Sequence, residues 1–291
     1  MADRGGIDKR RGSGMLTGGS AARTWRAVGN VAAAAVILFW LFPVYWIVLT
    51  SFKPIVEINS AVPSFVFTPT LDNYRDLISQ FEFGETLFNS IVVTFTTCFA
   101  VMVLGVLAAY ALARMNLPGE KHISLSILSL RFMPAIAIVI PFYLQWQNYG
   151  LLDTYEGLIL IYISFNLPFA IWLLRGFLAD VPVELEEAAL LDGLSRLQIL
   201  RLIVVPVILP GIASTAIFIF VFTWNEYLMA LMLTSIESVT LPVLVAKFIM
   251  PYTILWGVLS AAVVTQLVPM LLVVLLLQRH IVRGMTLGAV K

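Results

Sequence analysis

The sequence predicts an all-α polytopic membrane protein with six transmembrane helices. Hydrophobic residues make up 60% of its 291 positions and charged residues only 12%, whereas roughly a quarter of a soluble domain is charged. Several nearly uncharged runs exceed about 18 residues, enough to cross a hydrocarbon core of about 30 Å. Alternating segments of about ten residues, which a β-barrel needs, are missing.

Residues 1–26 are rich in Gly, Ser and Arg and lack an apolar face, which predicts a disordered basic tail. The apolar run 28–50 is too long for a secretory signal, has no small-residue cleavage site and contains Pro43, Tyr45 and Trp46, so it is read as a retained first span. Five more spans are expected at 87–113, 123–146, 157–177, 203–233 and 256–277, giving a transmembrane domain over 27–280 and a short tail over 281–291.

Six spans put both termini on one side, and the basic residues say which. Arg4, Lys9, Arg10, Arg11, Arg23 and Arg26 lie before the first span, Arg114 and Lys121 in the second connection, Arg175, Arg196 and Arg201 in the fourth, and Arg279, Arg283 and Lys291 at the end. The opposite loops hold Lys53, Arg75 and Lys247. By the positive-inside rule both termini are cytoplasmic, in a plasma or inner membrane. The longest outer loop, 52–86, carries Pro54, Pro63 and Pro69 among aromatic residues, which predicts a segment packed on the external surface and a candidate contact for an external partner.

The third to fifth spans carry Pro134, Pro141, Pro168, Pro206 and Pro210. Each removes a backbone donor and kinks its helix, which suits spans that bend or rock. Two ionisable residues fall inside spans, where they are expensive and mark candidate functional positions. Counted along straight helices, Arg131 sits about 12 Å deep from the cytoplasmic side. Glu226 lies near the outer face, so the two are not expected to pair. Glu226 belongs to Trp224-Asn225-Glu226-Tyr227, and rings beside amides and carboxylates are how sugars are generally held. Trp224, Asn225 and Glu226, with Asn166 in the fourth span, are candidate lining of a substrate pathway; an interfacial aromatic belt is the competing reading.

No enzyme chemistry is legible. Cys98 is a lone apolar thiol, His122 and His280 are far apart, and HExxH, GxSxG and Gly-rich phosphate loops are missing, so no cofactor or metal is expected. Nothing points to nucleic acid. Transport against a gradient would draw its energy from an ion gradient or another subunit.

The stretch 180–206, DVPVELEEAALLDGLSRLQILRLIVVP, interrupts the apolar blocks. Pro182 suits the first helical position, and Glu184, Glu186 and Glu187 suit the first turns, where the helix dipole favours anions. Leu185, Ala188, Ala189 and Asp192 recur at helical spacing, giving a narrow small-residue face. Gly193 suits a left-handed helix stop. Ser195 with Gln198 is a capping box that opens a second helix. A helix, a glycine turn and a second helix entering the membrane form a surface fit to dock in a partner's groove.

The spacing Glu187-Ala188-Ala189, three residues, Gly193, nine residues, Ile203, one residue, Val205-Pro206 resembles the EAA loop of ABC importer permeases, EAA-x3-G-x9-I-x-L-P, with Val205 in place of Leu. PVYWIVLTSFKP, WNEY and the terminal QRHIVRGMTLGAVK resemble the MalG-like permeases of carbohydrate importers. The resemblance implies a type I ABC importer fold, in which this chain pairs with a second homologous permease, two cytoplasmic ATPases and an external solute-binding protein. It implies that Glu187, Ala188, Ala189, Asp192 and Gly193 couple to an ATPase, with Arg283 and Gly284 in a tail reaching between the ATPases. The expected substrate is a disaccharide or oligosaccharide, with glycerol phosphate or another polyol derivative as an alternative. An ion-coupled transporter acting alone is the competing class; it predicts several buried acids or inverted repeats, and neither is evident.

Overall fold

The computed structural model describes the backbone of residues 18–115 and 117–287 and the side chains of 25–115 and 117–277. It divides into two units, Met1–Leu49 and Thr50–Lys291. The first is carried by helix α1, Gly18–Ser51. This helix begins inside the stretch expected to be tail, and residues 25–51 are apolar enough, with a mean hydropathy of 2.3, to cross a membrane. Residues 1–17 lie outside the described residues.

In the second unit the chain runs through α2 (Ile55–Ile58), α3 (Asp72–Gln80), α4 (Phe83–Arg114), α5 (Glu120–Ser129), a 3-10 turn (Leu130–Phe132), α6 (Ala135–Tyr149) and α7 (Tyr155–Ala179). It continues through α8 (Val183–Leu191), α9 (Arg196–Ile199), a π-helical turn (Leu200–Val204), α10 (Val205–Val207) and α11 (Leu209–Trp224). Then follow α12 (Leu228–Leu233), α13 (Leu241–Lys247) and α14 (Trp256–Leu287). The last helix extends past the predicted end of its span, so the expected tail from residue 281 is helical to Leu287.

Helices α1, α4, α7 and α14 are each long and apolar enough to cross a membrane unbroken; the other two predicted spans are broken. The third bends by 92° between Phe132 and Ala135. Proline disfavours helical backbone in the residue before it, and Met133, preceding Pro134, is extended at φ −66°, ψ 126°. The fifth bends by 81° at Ile208. Pro206 has no N–H to give, and the ladder ahead of it slips into the π-helical turn before the chain restarts at α11. The run predicted to end at residue 233 stops instead at Trp224, and α12 is a separate short helix.

Helices α4 and α7 form the axis of this unit. Gly105 permits their close approach: a Cβ there would lie 3.3 Å from both Ala170 Cβ and Leu174 Cδ1. Small residues let helix backbones meet where lipid supplies no hydrophobic drive. At the end bearing Arg114 and Arg175, here the basic end, the core joins Tyr110, Leu174, Leu178, Ala189, Ile199 and Val204. At the opposite end Leu77, Phe83, Phe220, Trp224 and Phe248 pack with α14. The outer loop is structured, as its prolines and aromatics suggested: the Asn73 amide donates to the Ser51 and Lys53 carbonyls, and the Tyr74 hydroxyl to Ser51 Oγ.

The connection after α12 is pinned from two sides. Asn89 Nδ2 on α4 donates to the Glu237 and Val239 carbonyls, and the Leu241 N–H donates to Ser90 Oγ. On the other side the Asp153 carboxylate accepts from the N–H groups of Ser235, Ile236, Glu237 and Ser238 and from both serine hydroxyls, at 2.7–3.1 Å. Burial alone would raise the Asp153 pKa; donation from the Ser235 backbone and hydroxyl, with the Glu237 and Ile236 N–H groups, outweighs it and holds the carboxyl well below the usual range. A folded pKa below the unfolded value contributes stability above the unfolded pKa of about 4, and that stability is lost as pH falls through the folded value. Asp153→Asn is expected to lower the detergent-state Tm by about 2–4 °C at neutral pH. The gap should close in acid as the wild-type carboxylate protonates. Equal melting at pH 7 would contradict the clasp.

Candidate functional site

The segment between α7 and α11 is built as its residues dictate. Pro182 caps rather than enters α8, with ψ 131°, and α8 begins at Val183. The helix stops at Gly193, which holds φ 84°, a conformation that costs side-chain-bearing residues. Both halves of the Ser195–Gln198 capping box form and start α9. Glu187, Ala188, Asp192 and Gly193 are exposed. So are the apolar Val183, Leu185, Leu191 and Leu197, with Leu191 at 90% and Leu197 at 67%. Ala189 departs from expectation. It was grouped with Leu185, Ala188 and Asp192 on one outward face, but the helix turns it inward to 5% exposure among Leu178, Ile199 and Val204. Arg283 and Gly284 lie in the last turns of α14, where side chains fall outside the described residues.

Beneath this surface is a group that no sequence pattern marks. Glu186, 1% exposed, accepts from Arg114 Nε at 2.6 Å and from the Tyr110 hydroxyl at 2.8 Å. Arg114 Nη2 also donates to the Leu178 and Val181 carbonyls at 3.0 and 2.8 Å, at and just past the end of α7. One guanidinium thus ties together α4, α7 and α8. Breaking such a buried pair from one side costs about 3–5 kcal/mol. Two adjacent glutamates in a helix, separated by about 100°, cannot share one face; that was the only hint that Glu186 and Glu187 point apart. A second tie at the same end joins Arg175 to Glu120 and Ser124.

The second candidate region is a cavity of about 370 Å³ at the two interruptions of the helical ladder, 131–135 and 225–229. Arg131, Tyr162, Phe165, Asn166, Phe222, Asn225 and Glu226 line it. Arg131 and Glu226 therefore share one cavity, contrary to the depth count, because a span bent by 92° spends its length sideways. They form no ion pair with each other among the described residues. The Arg131 guanidinium lies 4.7 Å from the Phe222 ring centre and 5.8 Å from that of Phe169, and donates to the Phe165 carbonyl. Glu226 accepts from the Tyr162 hydroxyl and from the Met229 and Ala230 N–H groups, which secures the first turn of α12. Asn166 Nδ2 donates to the Tyr162 carbonyl and Thr223 Oγ1. Asn225 Nδ2 returns to the Val221 carbonyl.

Trp224 is not part of this cavity. It is 1% exposed, stacks on Phe220 at 5.6 Å and donates its indole N–H to the Gln266 carbonyl. The candidate tetrad thus splits, with Asn166, Asn225 and Glu226 in the cavity and Trp224 in the packed outer core. Arg131 was marked only as an ionisable group inside a span, and Tyr162, Phe165 and Phe222 are lining members that the sequence did not single out. Non-helical backbone and ionisable groups at membrane depth are tolerated where they line water or protein, and here both coincide.

Residues 101–287 match the family described as "Binding-protein-dependent transport system inner membrane component". The chain is 39% identical over 261 residues to the "Trehalose transport system permease protein SugB" of Mycobacterium tuberculosis, covering 88% of this chain and 94% of that one. It is 32% identical over 273 residues to the "Trehalose/maltose transport system permease protein MalG" of Thermococcus litoralis, covering 90% and 95%. Among solved structures it resembles a chain of a bacterial ABC transporter for import of the acidic polysaccharide alginate, with a TM-score of 0.77 at 23% identity over 90% of this chain and 98% of that chain. With the family's pattern spanning residues 101–287 and the 39% likeness to the SugB permease covering 88% of the chain, this chain belongs to the binding-protein-dependent transport family as a multi-pass inner-membrane permease component.

Proposed function

We propose that this chain is one of two homologous permease subunits of an ATP-driven importer, passing a disaccharide or oligosaccharide delivered by an external solute-binding protein. The observation that carries the reading is the outward face of α8 and α9. Leu185, Leu191 and Leu197 surround the Gly193 turn with Glu187, Ala188 and Asp192 beside them, an apolar patch rimmed by acids that needs a protein partner. One of two ATPase subunits is the partner, with Ala189 seating the helix from within and Arg283 and Gly284 approaching the ATPases from the end of α14. The basic end then faces the cytoplasm, in keeping with the Lys and Arg distribution. The opposite end offers the hairpin closed by the Ile249–Ile254 bridge, with Tyr252 fully exposed at its tip, as a contact for the solute-binding protein.

Sugar as cargo rests on two supports. Relatives named for trehalose and for trehalose and maltose match along almost their whole length. The cavity combines ring faces with an amide, a carboxylate and a guanidinium, a set suited to a neutral polyhydroxyl ligand. Glu226 uses three of a carboxylate's roughly four acceptor sites, leaving about one for a ligand hydroxyl.

Two experiments test this. Leu191→Asp falls at an exposed helical position and carries no backbone strain; Gly193→Asp adds no clash, since a Cβ there would meet nothing within 4 Å, but strains the turn at φ 84°. Together they should abolish co-purification of the ATPase and ATP-dependent uptake while membrane insertion stays normal. Undiminished uptake would sink the docking surface. In the cavity, Glu226→Gln and Arg131→Met should raise the half-saturating trehalose concentration by about fivefold to a hundredfold, the worth of about 1–3 kcal/mol of lost hydrogen bonding, with ATPase assembly unchanged. Unaltered sugar dependence in both variants would exclude the cavity from the pathway.

A further inference from the structure

The residues that meet an ATPase and those that shape a sugar pathway lie on different elements, so some group must carry displacement from one to the other. The structure assigns that task to a positioning residue, Arg114, with Glu186 and Tyr110 as its partners. The inference rests on the docking reading above and extends it inward.

Glu186 projects from α8 into the core at 1% exposure, while Glu187, about 100° around the helix, is exposed. Both its oxygens are engaged by α4, Oε1 by Arg114 and Oε2 by Tyr110 one turn earlier. Arg114 is the last residue of α4, and its remaining donors hold two carbonyls, Leu178 within α7 and Val181 just beyond it. Its side chain is 10% exposed, so water offers these groups little alternative. A shift of α8 along or across the membrane surface therefore stretches both Glu186 hydrogen bonds at once unless α4 follows, and Arg114 ties α4 in turn to Leu178 of α7.

The route out of α8 in the other direction is soft. Gly193 turns the chain, α9 has one turn, and the π-helical turn and the bend at Ile208 intervene before α11. Helix interruptions of this kind absorb dihedral change and act as hinges. The stiff path from α8 thus runs through Arg114 into the packed pair α4–α7, while the covalent path to α11 yields. Helix α7 carries Tyr162, Phe165 and Asn166 of the cavity on the same continuous rod. Motion imposed at α8 reaches the cavity wall along one helix that stays unbroken across Pro168.

The test uses the full importer, assembled with its ATPases, partner permease and binding protein in vesicles. The readout is the amount of sugar moved per ATP hydrolysed, which a merely structural role leaves unaltered in complexes that do assemble. The probe is whichever of trehalose and maltose the wild-type complex accumulates. Arg114→Lys keeps the charge beside Glu186 but cannot reach all the acceptors. Glu186→Gln keeps the shape, and Tyr110→Phe removes one hydroxyl. Each assembled variant is expected to hydrolyse ATP while sugar moved per ATP falls by about fivefold to tenfold, within the usual range of a coupling free energy. A ratio equal to wild type in assembled Arg114→Lys and Glu186→Gln complexes would overturn the assignment. Loss of ATPase binding in all three variants would also overturn it, since the group would then serve only to fold the segment. The docking reading fails separately, if Gly193→Asp and Leu191→Asp leave ATPase binding intact.

Discussion

The guanidinium of Arg114 is the contact on which the basic end of this protein depends. Helices α4, α7 and α8 converge there, where one side chain reaches the Leu178 and Val181 carbonyls and the Glu186 carboxylate together. A lysine in its place would offer a single ammonium point charge, whereas the planar fork serves acceptors on two elements at fixed angles. The buried pair is not a large source of stability in itself, because desolvation offsets most of its Coulombic gain. What it supplies is geometry: α8 has one orientation, with Glu186 and Ala189 inward and Leu191 and Gly193 outward.

The opposite constraint acts within the membrane. Backbone groups there must be satisfied internally, so interruptions of a helix are costly unless they line protein or water. This chain places the 3-10 turn 130–132, the start of α6, the end of α11 and the start of α12 around one cavity against α7, and the ionisable side chains Arg131 and Glu226 fall in the same place. Each finds local partners, Arg131 on two aromatic faces and a carbonyl, Glu226 on a phenol and two N–H groups. The result is a polar wall inside an apolar bundle, held by rigid elements and open on one side.

Much of this was legible in the residues. Hydropathy picked out the four unbroken apolar helices and the two bent pairs among the described residues, and the Gly193 turn and the Ser195–Gln198 capping box were read from local chemistry, because both depend on neighbours within three or four positions. Proline flagged the third and fifth spans as kinked but gave no angle, since the bend depends on how far the next turn restarts, as at Met133 and Ile208. Depth counting separated Arg131 from Glu226 because it assumed straight helices. Trp224 and Ala189 were assigned to the wrong surfaces, since rotation about a helix axis is fixed by tertiary packing. The Arg114–Glu186 contact joins positions 72 residues apart, and nothing in a single sequence marks such a pair.

The central claim is that the exposed side of α8 is covered by an ATPase while its buried side is held by this chain. Cysteine substitutions in a Cys98→Ala background, made in the assembled importer, test it most directly. A cysteine at Leu191 should react with a water-soluble maleimide in the isolated permease, be shielded in the complex, and cross-link to the ATPase. A cysteine at Ala189 should stay unreactive in both. If Leu191→Cys labels equally with and without the ATPase and forms no cross-link, the face is not a docking surface and the account fails.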